Sequence, residues 1–279
     1  MPKCVFMNSH QSLRVLGVSL EIQHIAGPPH NRLPVCVFLH EGLGSVALWK
    51  EWPQQVCGML GCAGLVYSRQ GYGQSACVPH VRAETTMTPQ GLRQGRLQPD
   101  YLHQEALEVL PALLQLCGIQ QPLLIGHSDG ASIALIHASQ RPVAACVVLA
   151  PHVMVESIAL QAIGQARDNY AALKPRLSAF HKDVDCAFWQ WNDVWLSQGF
   201  RSFDIRPLLH GIQAPLLAIQ GHDDPYGTMA QIDDIAQHVP QAQLLKLPDC
   251  GHSPHRDQPS AVLEALKYFS KSLGDNQRH

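Results

Sequence analysis

Short apolar runs recur along the chain, each followed by a glycine-rich turn and then by a longer amphipathic stretch. Val35–Leu39, Gly64–Tyr67, Pro122–Ile125, Ala145–Ala150, Pro215–Ile219 and Gln243–Leu247 read as buried strands. Between them, Ala47–Leu60, Tyr101–Leu116, Ala131–Ser139, Thr228–Val239 and Pro259–Leu273 read as helices; in Tyr101–Leu116 the apolar side chains Leu102, Ala106, Val109, Leu110, Leu113 and Leu114 mark one face. Strand alternating with helix predicts an α/β fold, with a mostly parallel central sheet and helices on both faces. Arg14–Ile25 alternates more like an edge hairpin. Two stretches break the rhythm. Cys77–Asp100 is rich in Pro, Gly, Gln and Thr and reads as a surface excursion, while Val153–His210 has helical character and several aromatics but no buried-strand run. Its place between two strands predicts an inserted cap at 153–210 on a core formed by 1–152 and 211–279.

The chemistry gathers at strand ends. Residues 126–130 read Gly-His-Ser-Asp-Gly between an apolar run and a helical segment, which is the G-x-S-x-G pattern in its strand–turn–helix setting. A sharp turn exposes the serine hydroxyl, and Gly126 and Gly130 keep β-carbons out of the crowded flanks. Ser128 is thus the candidate nucleophile, and it needs a base, an orienting acid and oxyanion donors. After Pro215–Ile219 comes Gln-Gly-His-Asp-Asp-Pro, and after Gln243–Leu247 comes Pro-Asp-Cys-Gly-His-Ser-Pro-His. These supply an acid and a histidine in the order Ser, acid, His. The turn His40-Glu41-Gly42-Leu43-Gly44-Ser45 follows Val35–Leu39 and leaves backbone N–H groups free for an oxyanion, with Asp129 N–H, at a helix start, as the second donor.

Five motifs in order, His-x-Gly-x-Gly at His40, Ser-Arg-Gln-Gly-Tyr-Gly-Gln-Ser at Ser68, Gly-His-Ser-Asp-Gly, Gly-x-x-Asp at Gly221 and Gly-His-Ser-Pro-His at Gly251, resemble the serine hydrolases of the α/β-hydrolase superfamily over about Val35 to Leu273. The resemblance implies the α/β-hydrolase fold, Ser128 as nucleophile, Asp224 as acid, His252 as base, and the backbone N–H groups of Gly42 and Asp129 as oxyanion donors. Glu41 departs from the pattern, because a second glycine is more usual there; its carboxylate has to point away from the oxyanion. Ser68 replaces a frequent aspartate and is expected to affect turn packing. Asp223 competes with Asp224, and His222 and His255 with His252; Gly-x-x-Asp spacing and the Gly-His pair favour Asp224 and His252. A metal site from His222, Asp223, Asp224, His252 and His255 lacks ligand spacing on a common helix, so neither metal nor cofactor is expected.

Substrate contacts are assigned to Glu41, His152, Trp191 and Trp195. Phe188, Trp191 and Trp195 share a helix face, with Trp189 on another, so cap packing competes with a substrate-facing wall. Asp129 reads first as a carboxylate at a helix N-terminus, and Cys250 as packing. The expected activity is ester or thioester hydrolysis; C–C hydrolysis of a ring-cleavage product and a ligand receptor on the same fold are the alternatives. Serine where epoxide hydrolases and dehalogenases carry aspartate disfavours those chemistries.

Composition narrows partners and compartment. A net charge of −2 gives no reason to expect nucleic acid or an acidic membrane surface, and charged residues make up 15% of the 279, below the usual quarter or about that. Nine cysteines without a CxxC pair read as scattered, buried, reduced thiols. Met1–Leu20 has no apolar h-region or basic leader, and no membrane span is seen. A cytoplasmic protein acting on a small molecule, as a monomer or homodimer, is the expectation.

Overall fold

All six predicted runs become strands of one sheet; five of them are apolar on both faces and buried on both, and the sixth, Gln243–Leu247, lies at the sheet's edge. The computed structural model describes residues 9–28, 33–89 and 91–275, with side chains as far as Lys271. In chain order the strands are β1 (Ser9–Val15), β2 (Val18–Ile25), β3 (Cys36–Leu39), β4 (Gly64–Tyr67), β5 (Thr86–Met87), β6 (Arg93–Gln94), β7 (Leu123–His127), β8 (Ala145–Leu149), β9 (Leu216–Gly221) and β10 (Gln243–Leu247). Eight of them form a sheet in the order β1-β2-β4-β3-β7-β8-β9-β10, while β5 and β6 make a separate ribbon within the excursion 77–100. Only the β1–β2 and β2–β4 pairs of the large sheet are antiparallel. This is the α/β-hydrolase fold.

The helices are α1 (Trp52–Leu60), α2 (Tyr101–Gln104), α3 (Leu110–Leu116), α4 (Asp129–Gln140), α5 (Ser157–Asp168), α6 (Tyr170–Leu177), α7 (Val184–Trp195), α8 (Arg206–Leu209), α9 (Ala230–His238), α10 (Pro254–Asp257) and α11 (Pro259–Asp275). Alternate residues of the inner strands bury on opposite faces. Phe38, Val66, Ile125, Val147 and Ile219 pack with Val56 of α1 and Val262, Leu266 and Phe269 of α11. Val37, Leu39, Leu65, Leu124 and Val148 pack in a second core with α3, α4 and α9. The insertion joins this second core through Phe188, Trp191, Val194 and Trp195.

Several elements differ from the sequence expectation. β10 is an edge strand with Gln243 and Lys246 exposed, not a buried one. Ala47–Leu60 divides at Lys50, where φ is 53°, into a 3-10 turn (Ala47–Trp49) and α1. Tyr101–Leu116 contains a π turn over Glu105–Val109. Pro111 has no N–H to donate to the preceding turn, so the hydrogen-bond ladder shifts there. The described cysteines are all free, seven of the eight buried, and Cys4 lies outside the described residues. They are not as scattered in space as in sequence, since Cys36, Cys57 and Cys62 converge. Among the described residues no helix is long and apolar enough to cross a membrane.

Candidate active site

β7 stops at His127, and the chain turns at Ser128 with φ 53° and ψ −117° before entering α4. That backbone is strained for a non-glycine residue, and the crowding around it fixes its neighbours. A Cβ on Gly126 would stand 2.3 Å from the Gly130 carbonyl oxygen, and one on Gly130 would stand 2.0 Å from that of Leu39. Only glycine lets strand, turn and helix approach so closely.

Two neighbouring parallel strands bring partners to the same edge. Asp224 follows β9 and His252 follows β10. His252 Nε2 is 2.9 Å from Ser128 Oγ, and His252 Nδ1 is 2.8 Å from Asp224 Oδ2 and 2.9 Å from Oδ1. Gln220 Nε2 and the Tyr226 backbone N–H also donate to Asp224, both at 2.8 Å. Burial alone would raise the Asp224 carboxyl, but the hydrogen bond and charge of His252, with the Tyr226 amide, hold it below its ordinary range. An ionised carboxylate fixes the proton on Nδ1 and leaves Nε2 to accept from the serine hydroxyl. The other contenders lie elsewhere: Asp223 and His222 are exposed, and Cys250 is buried in the core.

Gly42 lies in the turn after β3, and Asp129 N–H opens α4. Neither amide donates to an acceptor among the described residues. Glu41 turns away, as its place beside this turn requires. Its Oε1 is 3.3 Å from Arg256 and its Oε2 is 3.5 Å from His127 Nδ1. Burial would raise the Glu41 carboxyl, yet His127, Arg256 and His255 together hold it well below the carboxylate range. Ser68 does serve turn packing, accepting from Val46 N–H at 2.9 Å and donating to Glu21 at 2.7 Å.

A cavity of about 220 Å³ opens over Ser128 and is walled by Leu43, His152, Ile163, Trp191, Trp195 and Tyr226. A separate cavity of about 180 Å³ lies beyond Tyr101 and Arg69 and does not reach Ser128. All four residues expected at the substrate, Glu41, His152, Trp191 and Trp195, line the first cavity, as does Gly42. His152 is buried; desolvation, then the neighbouring His252, lowers it to about 3, so its ring is neutral. Trp191 stands over the turn, where a Cβ on Gly42 would come 2.2 Å from its Nε1. Phe188 packs on Tyr170, and Trp189 takes the Arg82 guanidinium at 3.9 Å, both away from the cavity wall.

Asp129 departs most from its simple reading. Its side chain is fully buried, accepting from Tyr101 Oη at 2.7 Å and Trp195 Nε1 at 3.1 Å, with Arg69 at 3.6 Å. Burial outweighs the Arg69 charge and these donors, and its carboxyl is raised. Trp195 therefore ties the segment 153–210 to the turn at Ser128 as well as lining the cavity. His127, too, has a role the motif does not disclose, as its Nε2 donates to the His252 carbonyl oxygen at 2.6 Å. His255 is a buried structural group, packed against the stacked pair Trp49 and Trp52 at ring distances of 5.0 and 5.1 Å.

Residues 36–265 match the family described as "Alpha/beta hydrolase family". The chain is 24% identical to the mouse (Mus musculus) protein "sn-1-specific diacylglycerol lipase ABHD11" over 85% of this chain and 81% of that one. A shorter stretch, 23% of this chain and 25% of the other, is 36% identical to "Pimeloyl-[acyl-carrier protein] methyl ester esterase" of Nitrosomonas europaea. Among solved structures, a bacterial membrane phospholipase A superposes with a TM-score of 0.72 at 16% identity, over 95% of this chain and 86% of that one.

Proposed function

This chain belongs to the alpha/beta hydrolase family, and from that premise we propose that it is a serine hydrolase cleaving a carboxylic ester or thioester through an acyl-enzyme. One observation carries the reading: an unbroken line of hydrogen bonds from Ser128 Oγ through His252 to Asp224, at 2.9 and 2.8 Å, beneath a cavity. Lipase and esterase relatives support the same class of reaction.

In this mechanism Ser128 Oγ attacks the carbonyl carbon as His252 Nε2 takes its proton. Asp224 keeps the other ring proton on Nδ1 and stabilises the imidazolium. The N–H groups of Gly42 and Asp129 receive the oxyanion, each worth about 3 kcal/mol in the transition state. His252 returns its proton to the leaving group, then activates the water that releases the acid. The insertion 153–210 serves as the cap. A cavity of about 220 Å³ exceeds the roughly 150 Å³ that holds a benzene ring, which favours a compact, largely apolar group on one side of the scissile bond. Neutral His152 favours an uncharged hydrogen-bonding group beside it.

The test is a turnover panel of esters, thioesters and dienoate ring-cleavage products, run with wild type and Ser128→Ala. A fluorophosphonate should label wild type at Ser128 and leave the variant untouched, and ester turnover should fall by about 10⁴-fold or more. Full activity in Ser128→Ala overturns the proposal. Turnover confined to dienoates makes the enzyme a C–C hydrolase, and a burst without steady turnover makes it a receptor.

A further inference from the structure

At the end of strand β3 away from Ser128, three cysteines from separate elements meet. Cys36 opens β3, Cys57 lies in α1, and Cys62 follows the left-handed Gly61 that ends α1. Their sulfurs all lie within 4.8 Å of one another, and Cys36 Sγ and Cys62 Sγ are 3.2 Å apart. All three residues are buried, with 0, 2 and 1% of their surface exposed. Glycine makes the room, since a Cβ on Gly64 would stand 2.6 Å from Cys57 Sγ. Cys36 and Cys62 also line a cavity of about 10 Å³, walled otherwise by Leu33, Pro34, Leu60, Leu123 and Ser270. That is about the room one water molecule needs.

We propose that Cys36, Cys57 and Cys62 form a thiolate site for a single soft d¹⁰ cation of the zinc group, with the adjoining cavity giving space for a fourth, non-protein ligand. Thiolates select such ions, and three protein ligands plus water is an established zinc arrangement. Sulfurs each about 2.3 Å from a tetrahedral ion stand about 3.8 Å apart. The Cys36–Cys62 pair needs to open by about half an ångström to reach that spacing. Apolar packing alone accounts for single buried thiols such as Cys146, but not for three sulfurs converging beside a water-sized space.

On binding, thiol protons pass to solvent as the sulfurs ligate the ion. No oxidation state changes. The ion would tie β3 to the end of α1, and it takes no part in chemistry at Ser128.

The test uses the reduced, metal-free full chain titrated with Cd²⁺, whose thiolate charge-transfer absorption reports sulfur ligation, and then with Zn²⁺ in competition. Saturation at one equivalent, release of protons, and a higher unfolding temperature are expected. Cys62→Ser and Cys57→Ala should each weaken binding at least about tenfold, while Cys117→Ser and Cys146→Ser leave it unchanged. Absence of the band at one equivalent, or an equal band in Cys62→Ser and Cys57→Ala, overturns the proposal. Should those variants fail to fold, X-ray absorption on the zinc-loaded wild type decides. Three sulfurs at about 2.3 Å are expected, and a shell of nitrogen and oxygen alone overturns it.

Discussion

Asp129 combines two functions in one residue: its amide is the proposed oxyanion donor, and its carboxylate is buried under Tyr101, Trp195 and Arg69. Removing the carboxylate would leave the Arg69 guanidinium buried with no anion beside it among these contacts, its partners then being the carbonyl oxygens of His40 and Glu41 and the Tyr72 ring. Breaking a buried pair this way is costly even where the pair itself contributes little. Asp129→Ala should lower unfolding free energy by about 3 kcal/mol, read from urea midpoints, with Asp129→Asn losing less because it can still accept from Tyr101 or Trp195. His152 gives a second expectation at this scale. It is a neutral ring bordering the cavity, and under the proposed function it would contact substrate without moving a proton, so His152→Phe should raise KM while kcat changes less, measured on the best ester of the panel.

At the scale of elements, the turn after β3 and helix α7 meet at Gly42 and Trp191. A methyl group on Gly42 would strike the indole 2.2 Å away, and either the turn or α7 has to give. Gly42→Ala should therefore cost about 10²-fold or more in kcat, as for loss of an oxyanion donor. Adding Trp191→Leu should restore part of it, a coupling a double-mutant cycle measures. The sequence made the elements legible to the extent that their burial is symmetrical. β7 and β8 announce themselves because both faces are covered, whereas β10, with its Leu-Leu-Lys-Leu run, looks central and is an edge. Ser128, Asp224 and His252 were legible because each follows a strand in a short motif. Arg69, Tyr101 and His127 were not, because their meaning comes from partners far along the chain. Tyr101 reaches Asp129 across 28 positions and His127 reaches His252 across 125, and no local spacing encodes either.

Taken whole, the molecule buries several histidines in neutral form. Desolvation lowers His40 and His255 well below the ordinary imidazole value and His152 to about 3. The unfolded chain takes up protons at these sites below about pH 6.5, while the native fold does not, so stability falls as pH drops through that window. These three groups alone give a slope near 4 kcal/mol per pH unit, from about 1.4 kcal/mol for each, and His137 and His181, which burial also lowers, add to it. Asp224, whose folded value is depressed, adds stability that is lost only below about pH 4. Asp129 and Glu105, raised by burial, act in the opposite sense nearer the carboxylate range. Urea unfolding between pH 7 and 5 should show the loss, and His255→Phe should flatten the slope by about 1.4 kcal/mol per pH unit at most. A flat profile over that range would mean that these rings charge in the native state.

The hydrogen bond from Trp195 to Asp129 bears on how this fold tolerates recombination. Replacing the segment 153–210 with that of another hydrolase would leave Asp129 without this donor unless the graft brought an indole, or its equivalent, to the same place. Under the proposed function, the walls of the pocket and the support beside Ser128 therefore change together.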